Sequence, residues 1–473
     1  MQLSPLKVLS DTEVEQIHQA TLDILCQTGV QIGSPRMLSF LKDKGLKIDA
    51  DKQVVYFSRT CIEEALSHIP PQFDVYNREG EFAFTLGDGV PKIAAGHNAV
   101  FWLDSETGQT RPSRVADVEV FARLCQELKN IDMIGIPVMP QDVSDPKASL
   151  LHGVRAVMEN STKPIYFSTD SAAVNRDIIR MIQAIYPGDL KTQAYGISQL
   201  SPTSPLYWEG SVLEAIMDMV DSGVPISILP EPNAGVSSPY TLAGLLTMNN
   251  AECLSGLVMI QMLRPGTKVM YANSWTTTDM RTGAALVGSI ETTLCRIAAA
   301  QLAKFYKTPS HTTAPNSDNH AHDEQNAWEK TFSLFAAAGA GHDLIVNCGM
   351  FATGMTVSHE QLVMDEEISA MARRICRGML VNKDTIAADV IKQVGPRGDY
   401  LMQEHTMDWL RSDEYLLPQV SVRGPRASWE AKGSKDTYQL TNEKIQPLPA
   451  MSSCPLQLQQ IEKINQIMTQ FGK

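Results

Sequence analysis

Residues 224–273 read VPISILPEPNAGVSSPYTLAGLLTMNNAECLSGLVMIQMLRPGTKVMYAN. Two short apolar runs, VPISILP and TKVMYAN, flank a long stretch of helical character, with Pro, Gly and Asn at the joints. A strand, a helix and a second strand in succession favour a parallel sheet with helical crossovers.

The same alternation extends in both directions. The further runs are PKIAAGH (91–97), IDMIGIPV (131–138), KPIYFST (163–169), QAYGISQ (193–199), TPSHTTA (308–314) and HDLIVNC (342–348). Eight strands separated by helices such as GSIETTLCRIAAAQLAKFY predict an α/β chain whose main domain, residues 91–415, is a TIM (β/α)8 barrel. VPISILP and TPSHTTA are weak strand signals, so an open doubly wound sheet is the alternative. No GxGxxG follows a strand and no P-loop is present, which removes the usual nucleotide reason for that alternative.

Before the barrel, residues 1–90 read as a small α+β region. An amphipathic helix over 11–28 has Asp11 as its capping residue, and a short helix near 35–45, a strand at QVVYFS, a helix near 59–68 and a hairpin at FDVYNREGEFAFTL follow. Beyond 358 the pattern is helical. Residues 416–473 form a helical C-terminal extension, with a Pro-rich linker at 446–455 before a last short helix.

Composition narrows the function. The 473 residues carry 53 acidic and 40 basic side chains, a formal charge of -13. That balance supplies no footprint for nucleic acid or an anionic membrane. The first residues lack an apolar segment behind positive charge, and no stretch is long and apolar enough to span a bilayer, so a cytoplasmic location is expected. The eight cysteines are scattered without a CxxC pair, which speaks against a disulfide framework or zinc knuckle. The 22 methionines read as core packing.

In a barrel the active site forms at the C-terminal ends of the strands. Those ends supply His97, Asn98, Thr169, Asp170, Gln199, Ser201, Glu231, Asn233, Asn273, Ser274, Trp275, Asn316, Asp318, Asn347 and Cys348, with Tyr166, Phe167, Tyr207, Trp208, Tyr271 and Phe351 nearby. Helix capping accounts for polar residues at such positions one by one. Taken together, with aromatics interleaved, they suggest a mouth for a polar or cationic small molecule.

NSDNHAHDEQNAWEK (316–330) gathers His320 and His322 among carboxylates, a ligand set that a divalent metal accepts. Two residues apart on a helix they diverge, so only an extended loop would let both reach one ion. Asp323 also caps the helix that follows. No metal is therefore expected; a metal-dependent hydrolase is the reading that would need one.

Several long segments resemble the trimethylamine methyltransferase family: SSPYTLAGLLTMNNAECLSGLVMIQMLRPGTKVMYA, DMRTGA, SIETTLCRIAAAQLAKFYKTP, SDNHAHDEQNAWEK, GMTVSHEQLVMDEEI and VGPRGDYLMQEHT, in that order. The resemblance implies a barrel that presents a methylated amine to a cognate corrinoid protein, whose Co(I) takes the methyl group. Founding archaeal members carry pyrrolysine, whereas VNCGMFATGM and the rest of this chain hold ordinary residues. The chain is thus similar to the branch acting on quaternary amines, with glycine betaine as first choice and proline betaine, carnitine and butyrobetaine as alternatives. The corrinoid (cobalamin) would reside on the partner.

A quaternary nitrogen has no N–H to donate, so an aromatic cage is expected from Trp275, Tyr166, Tyr207, Trp208 and Phe351. His97, Asn98, Arg281, Glu231 and Asn347 would complete the substrate site. Asn316, Asp318, His320 and His322 would form a substrate-mouth or corrinoid-docking loop. A non-catalytic betaine-binding barrel is the reading from another class, and homo-oligomerisation is left open.

Overall fold

The computed structural model describes residues 3–105, 107–446 and 454–469. Each of the eight apolar runs forms one strand of a closed parallel barrel: β1 (Lys92–Ala95), β2 (Met133–Gly135), β3 (Ile165–Ser168), β4 (Gly196–Leu200), β5 (Ile226–Ile228), β6 (Val269–Asn273), β7 (Ser310–Thr313) and β8 (Leu344–Cys348). Closure comes from β8 pairing with β1, Leu344 opposite Lys92 and Val346 opposite Ala94, which excludes the open sheet.

A helix follows each strand: α1 (Val115–Glu127), α2 (Pro146–Asn160), α3 (Ala172–Ile185), α4 (Gly210–Ser222), α5 (Leu242–Leu263), α6 (Ile290–Phe305), α7 (Glu324–Ala340) and α8 (His359–Arg377). Side chains alternate between the two faces of each strand. Ile165, Phe167, Ile226, Val269 and Ile345 point outward to the helices. Tyr166, Ile197, Met270, Val346 and Ala94 fill the interior.

α5 is apolar around most of its circumference because it is covered on several sides. It packs on the barrel and beneath two N-terminal helices, Asp11–Gln27 and Arg59–Ser67. Of its buried polar residues, Asn250 donates to Thr21 Oγ1 at 2.8 Å and accepts from Tyr271 Oη at 2.9 Å, while the amide of Asn249 has no hydrogen-bond partner among the described residues. The first helix departs from expectation at its cap. Ser10, not Asp11, holds the N-terminus, accepting from the Glu13 N–H while Glu13 accepts from the Ser10 N–H.

The N-terminal hairpin, Phe73–Tyr76 paired with Phe82–Leu86, closes the bottom of the barrel. Phe73, Val75, Phe84 and Leu86 join the interior cluster with Met133, Ile197 and Leu344. Gly87 N–H donates to Asp343 just before β8, and Tyr76 N–H to Ala194 just before β4, so the plug sits at the N-terminal ends of the strands.

The last barrel helix ends at Arg377, and shorter helices follow it from Lys383 onward. The final helix, Leu458–Met468, returns to α3, with Gln460 donating to the Ile185 carbonyl. The linker expected at 446–455 falls almost wholly on 447–453, outside the described residues. Among the described residues no helix is long and apolar enough to cross a membrane.

Leu86 is fully buried between plug and barrel. Leu86→Ala is expected to lower unfolding free energy by about 2–5 kcal/mol, the usual range for a buried Leu truncation. Denaturant titration measures this; a loss under about 1 kcal/mol would mean that the hairpin is not a structural plug.

Candidate active site

At the C-terminal ends of the strands lies a cavity of about 820 Å³. The structure brings ten of the strand-end residues to its wall: His97, Asn98, Asp170, Gln199, Ser201, Glu231, Asn233, Ser274, Asn316 and Asn347. A hollow of similar size, about 880 Å³, lies by Lys44, Tyr56 and Met262, away from the strand ends. The barrel mouth is the candidate site because strands from around the whole barrel converge there.

Three carboxylates define its electrostatics. Glu231 follows β5, Asp170 follows β3, and Glu209 precedes α4 without capping it. Among the described residues no lysine or arginine lines the cavity. Water reaches Glu231 from the mouth, but protein encloses it on its other sides. That desolvation, with the charge of Asp170 second, pushes its carboxyl up to about 7.

The floor at His97 rests on an aromatic, neutral layer. His97 packs edge-on against Tyr166, ring centroids 4.9 Å apart, and Tyr166 against His311 at 5.3 Å. Tyr166 Oη donates to Gln199 Oε1. Burial lowers His97 to about 4, so it is neutral at pH 7, and its Nδ1 has no protein partner. His311 shares a 2.9 Å hydrogen bond with Ser227 through Nδ1, while its buried Nε2 has none. His311 was not anticipated; a histidine inside a strand run at an inward position was the available signal.

The walls are braced from behind. Asp318 accepts from the N–H groups of Val287 (2.9 Å) and Gly288 (3.0 Å), fastening the hairpin Thr277–Asp279/Ala284–Leu286, whose Ala285 overhangs the cavity. Lys330 on α7 and Asp365 on α8 form a fully buried ion pair at 2.9 Å. Lys330 also donates to the carbonyls of Pro315 and Met350, and Asp365 accepts from Gly349 N–H at 2.7 Å. This pair sets the path of the chain leaving β7 and β8, hence the positions of Asn316, Asn347 and Met350.

The expected aromatic cage does not assemble. Trp275 lies between two wall residues, Ser274 and Thr276, and strand alternation turns it into the outer core, 1% exposed. Tyr207 and Trp208 pair with Gln31 and Ile32 in the N-terminal sheet, and Trp208 Nε1 donates to Ser255 Oγ. Phe351 packs against His322 behind the wall. Tyr166 lies one layer below the floor. Arg281 is 90% exposed and paired with Asp279 on the overhanging hairpin, outside the cavity.

The NSDNHAHDEQ loop divides its work. Asn316 faces the cavity, Asp318 braces the hairpin, and Asp323 caps α7. His320 is exposed, whereas His322 is held between Phe351 and Tyr438 of the helix Thr437–Ile445. Among the described residues no three His, Cys, Asp or Glu side chains are grouped to hold a metal.

The chain matches the family Trimethylamine methyltransferase (MTTB) over residues 1–467. It is 31% identical to the trimethylamine methyltransferase of Methanosarcina barkeri strain Fusaro, covering 93% of this chain and 90% of that one. It is 29% identical to the glycine betaine methyltransferase of Desulfitobacterium hafniense strain Y51, covering 100% and 98%. Among solved structures it is similar to the Methanosarcina barkeri monomethylamine methyltransferase, with a TM-score of 0.53 at 12% identity, covering 94% of this chain and 89% of that one.

Two outcomes test the site. Glu231 titrates near 4.5 when unfolded and near 7 when folded, so the stability present below the lower value is lost as pH rises through the higher. Glu231→Gln should match the wild-type melting temperature at pH 4 and exceed it at pH 8; parallel curves at all pH values would contradict the raised carboxyl. Trp275→Phe should leave the dissociation constant for tetramethylammonium, read by calorimetry, within about twofold, since the ring only packs. A clear loss would return Trp275 to the site.

Proposed function

The chain belongs to the trimethylamine methyltransferase family, and from that premise we propose that it takes one methyl group from a quaternary ammonium compound and delivers it to the Co(I) of a corrinoid on a partner protein. Glycine betaine is the reference compound, since a relative matched over the full length of this chain bears its name. Proline betaine, carnitine and butyrobetaine carry the same reacting group.

One observation carries the substrate half of this reading: three carboxylates without a basic partner face one open chamber at the strand ends. A quaternary nitrogen cannot donate a hydrogen bond, so its attraction to the site is Coulombic. At about 4 Å and an effective dielectric near 20, one carboxylate supplies on the order of 4 kcal/mol before desolvation. A cation–π contact supplies roughly 0.5–2 kcal/mol. The carboxylates therefore replace the missing cage.

The chamber fits a cofactor brought from outside. Asp170, Glu209 and Glu231 all remain exposed through the mouth, so a methyl group held among them faces an approaching partner. The corrinoid, when bound, supplies a nucleophilic Co(I) that accepts the methyl group, and the hard chemistry belongs to it. The C–N bonding pair stays on nitrogen, which leaves as a neutral tertiary amine, so the protein need not provide a proton to the leaving group. Its own residues bind the cation and orient one methyl toward the mouth, an effect that can reach roughly 7 kcal/mol or more. We assign the exposed His320 and its loop, which leads away from the wall residue Asn316, as a docking surface for the partner.

Methyl transfer to cob(I)alamin, free or protein-bound, tests this directly by absorbance. Glycine betaine, proline betaine, carnitine, butyrobetaine, choline and trimethylamine are offered separately, and methylcobalamin is expected with at least one quaternary amine. Because the carboxylates hold the ground-state cation, Glu231→Gln should raise KM about tenfold while kcat changes far less. Binding without transfer for every compound would favour a non-catalytic binding barrel.

A further inference from the structure

The cavity is one-sided in its charge, and two of its asparagines add unused acceptors. Asn98 spends its amide N–H on the Ser168 carbonyl at 3.2 Å, and Asn347 spends its own on Asn316 Oδ1 at 2.8 Å. In the orientation that the hydrogen-bond network selects, both Oδ1 atoms are buried without a protein partner. Asn316 in turn donates to the Thr313 carbonyl at 3.0 Å. Asn98 and Asn347 thus leave acceptors unused at the wall, beside three carboxylates.

Among the described residues no cationic side chain offsets them. Arg281 is turned to solvent on Asp279, and Arg296, 1% exposed, donates to the Val287 carbonyl behind the wall. A ligand carboxylate placed here would meet no lysine or arginine among the described residues and lie within the field of Glu231, Asp170 and Glu209. Like charges set against one another oppose binding.

We infer that the substrate is a monocation: a quaternary methylammonium compound whose remaining part is uncharged, such as an alcohol, an ester or an alkyl chain, rather than a zwitterion. This rests on the reading that a methylated ammonium group binds in the chamber, and it fixes the rest of the molecule. Glycine betaine then ranks below compounds of the same skeleton that lack its carboxylate. Glu231 and Asp170 become the residues that set specificity, through charge alone.

Calorimetric titration of the full-length protein at pH 8 tests the ranking without any corrinoid. Glycine betaine is compared with its methyl ester and with choline. The ester and choline are expected to bind at least ~10-fold more tightly, the low end of what like-charge opposition costs. Glu231→Gln and Asp170→Asn should each shrink that ratio, chiefly by weakening the monocations. Glycine betaine binding as tightly as its ester would overturn the charge assignment, even with methyl transfer intact. If no methylated ammonium compound binds, the reading of the chamber itself fails and the inference with it, whereas a correct ranking without methyl transfer would fault only the proposed reaction.

Discussion

Closure of the sheet is the constraint on which the site depends. Once β8 pairs with β1, every strand has a fixed inner and outer face, and the interior is too narrow for anything but packed side chains at its centre. The bottom is filled by the hairpin Phe73–Leu86 and the middle by Tyr166, Met270 and Val346. Only the C-terminal end remains open. Pairing shifts register between Val346 and Cys348, where Asn347 adopts φ 138°, and the residue so displaced faces the cavity instead of continuing the outer pattern. Gly96 allows the same crossing, since a side chain there would run into Met350.

The barrel was legible because its signals are local. Each strand run and each helix declares itself within a dozen or so residues, and the number of units sets the closed form. The strand-end polar residues were legible for the same reason. The aromatics were not, because nearness in sequence to a strand end says nothing about parity. Trp275 is one residue from two wall residues and on the opposite face. Tyr207 and Trp208 illustrate a second limit: their place is decided by pairing with residues some 175 positions earlier, at Gln31 and Ile32, a contact with no local signature. Glu209 was missed because the same distant pairing carries it to the rim.

Buried and enclosed charges in this protein fall into two kinds. Lys330 and Asp365 are fully satisfied, by each other and by backbone groups, and they position chain segments. Glu252 is similar, accepting from Ser204 Oγ at 2.7 Å and Leu206 N–H at 2.9 Å where the Tyr207 loop meets α5. Glu231 has the same raised carboxyl, near 7, yet accepts no hydrogen bond and forms no ion pair among the described residues. A folded chain that satisfies its structural carboxylates and leaves this one open retains a destabilising charge at one place. A bound cation would remove the penalty, which is the physical sense in which the site is incomplete alone.

Carboxylates that hold a cation cannot by themselves speed the removal of its methyl group. The positive charge on nitrogen diminishes as the C–N bond breaks, so their attraction is greatest before reaction and weakest after it. They favour capture and then release of a neutral amine. Acceleration must therefore come from orientation, and here the shape of the charge distribution matters more than its size. Glu231 and Asp170 follow β5 and β3, which flank β4, and Glu209 precedes α4, so the acidic side of the chamber is the β3–β5 sector, while the β7, β8 and β1 sector presents the amides of Asn316, Asn347 and Asn98. A cation in a cavity of about 820 Å³ would tumble in a uniform field. In this asymmetric one it is drawn to one wall, and the opposite wall, rigid because Lys330 and Asp365 fix it from behind, limits where the methyl groups can point.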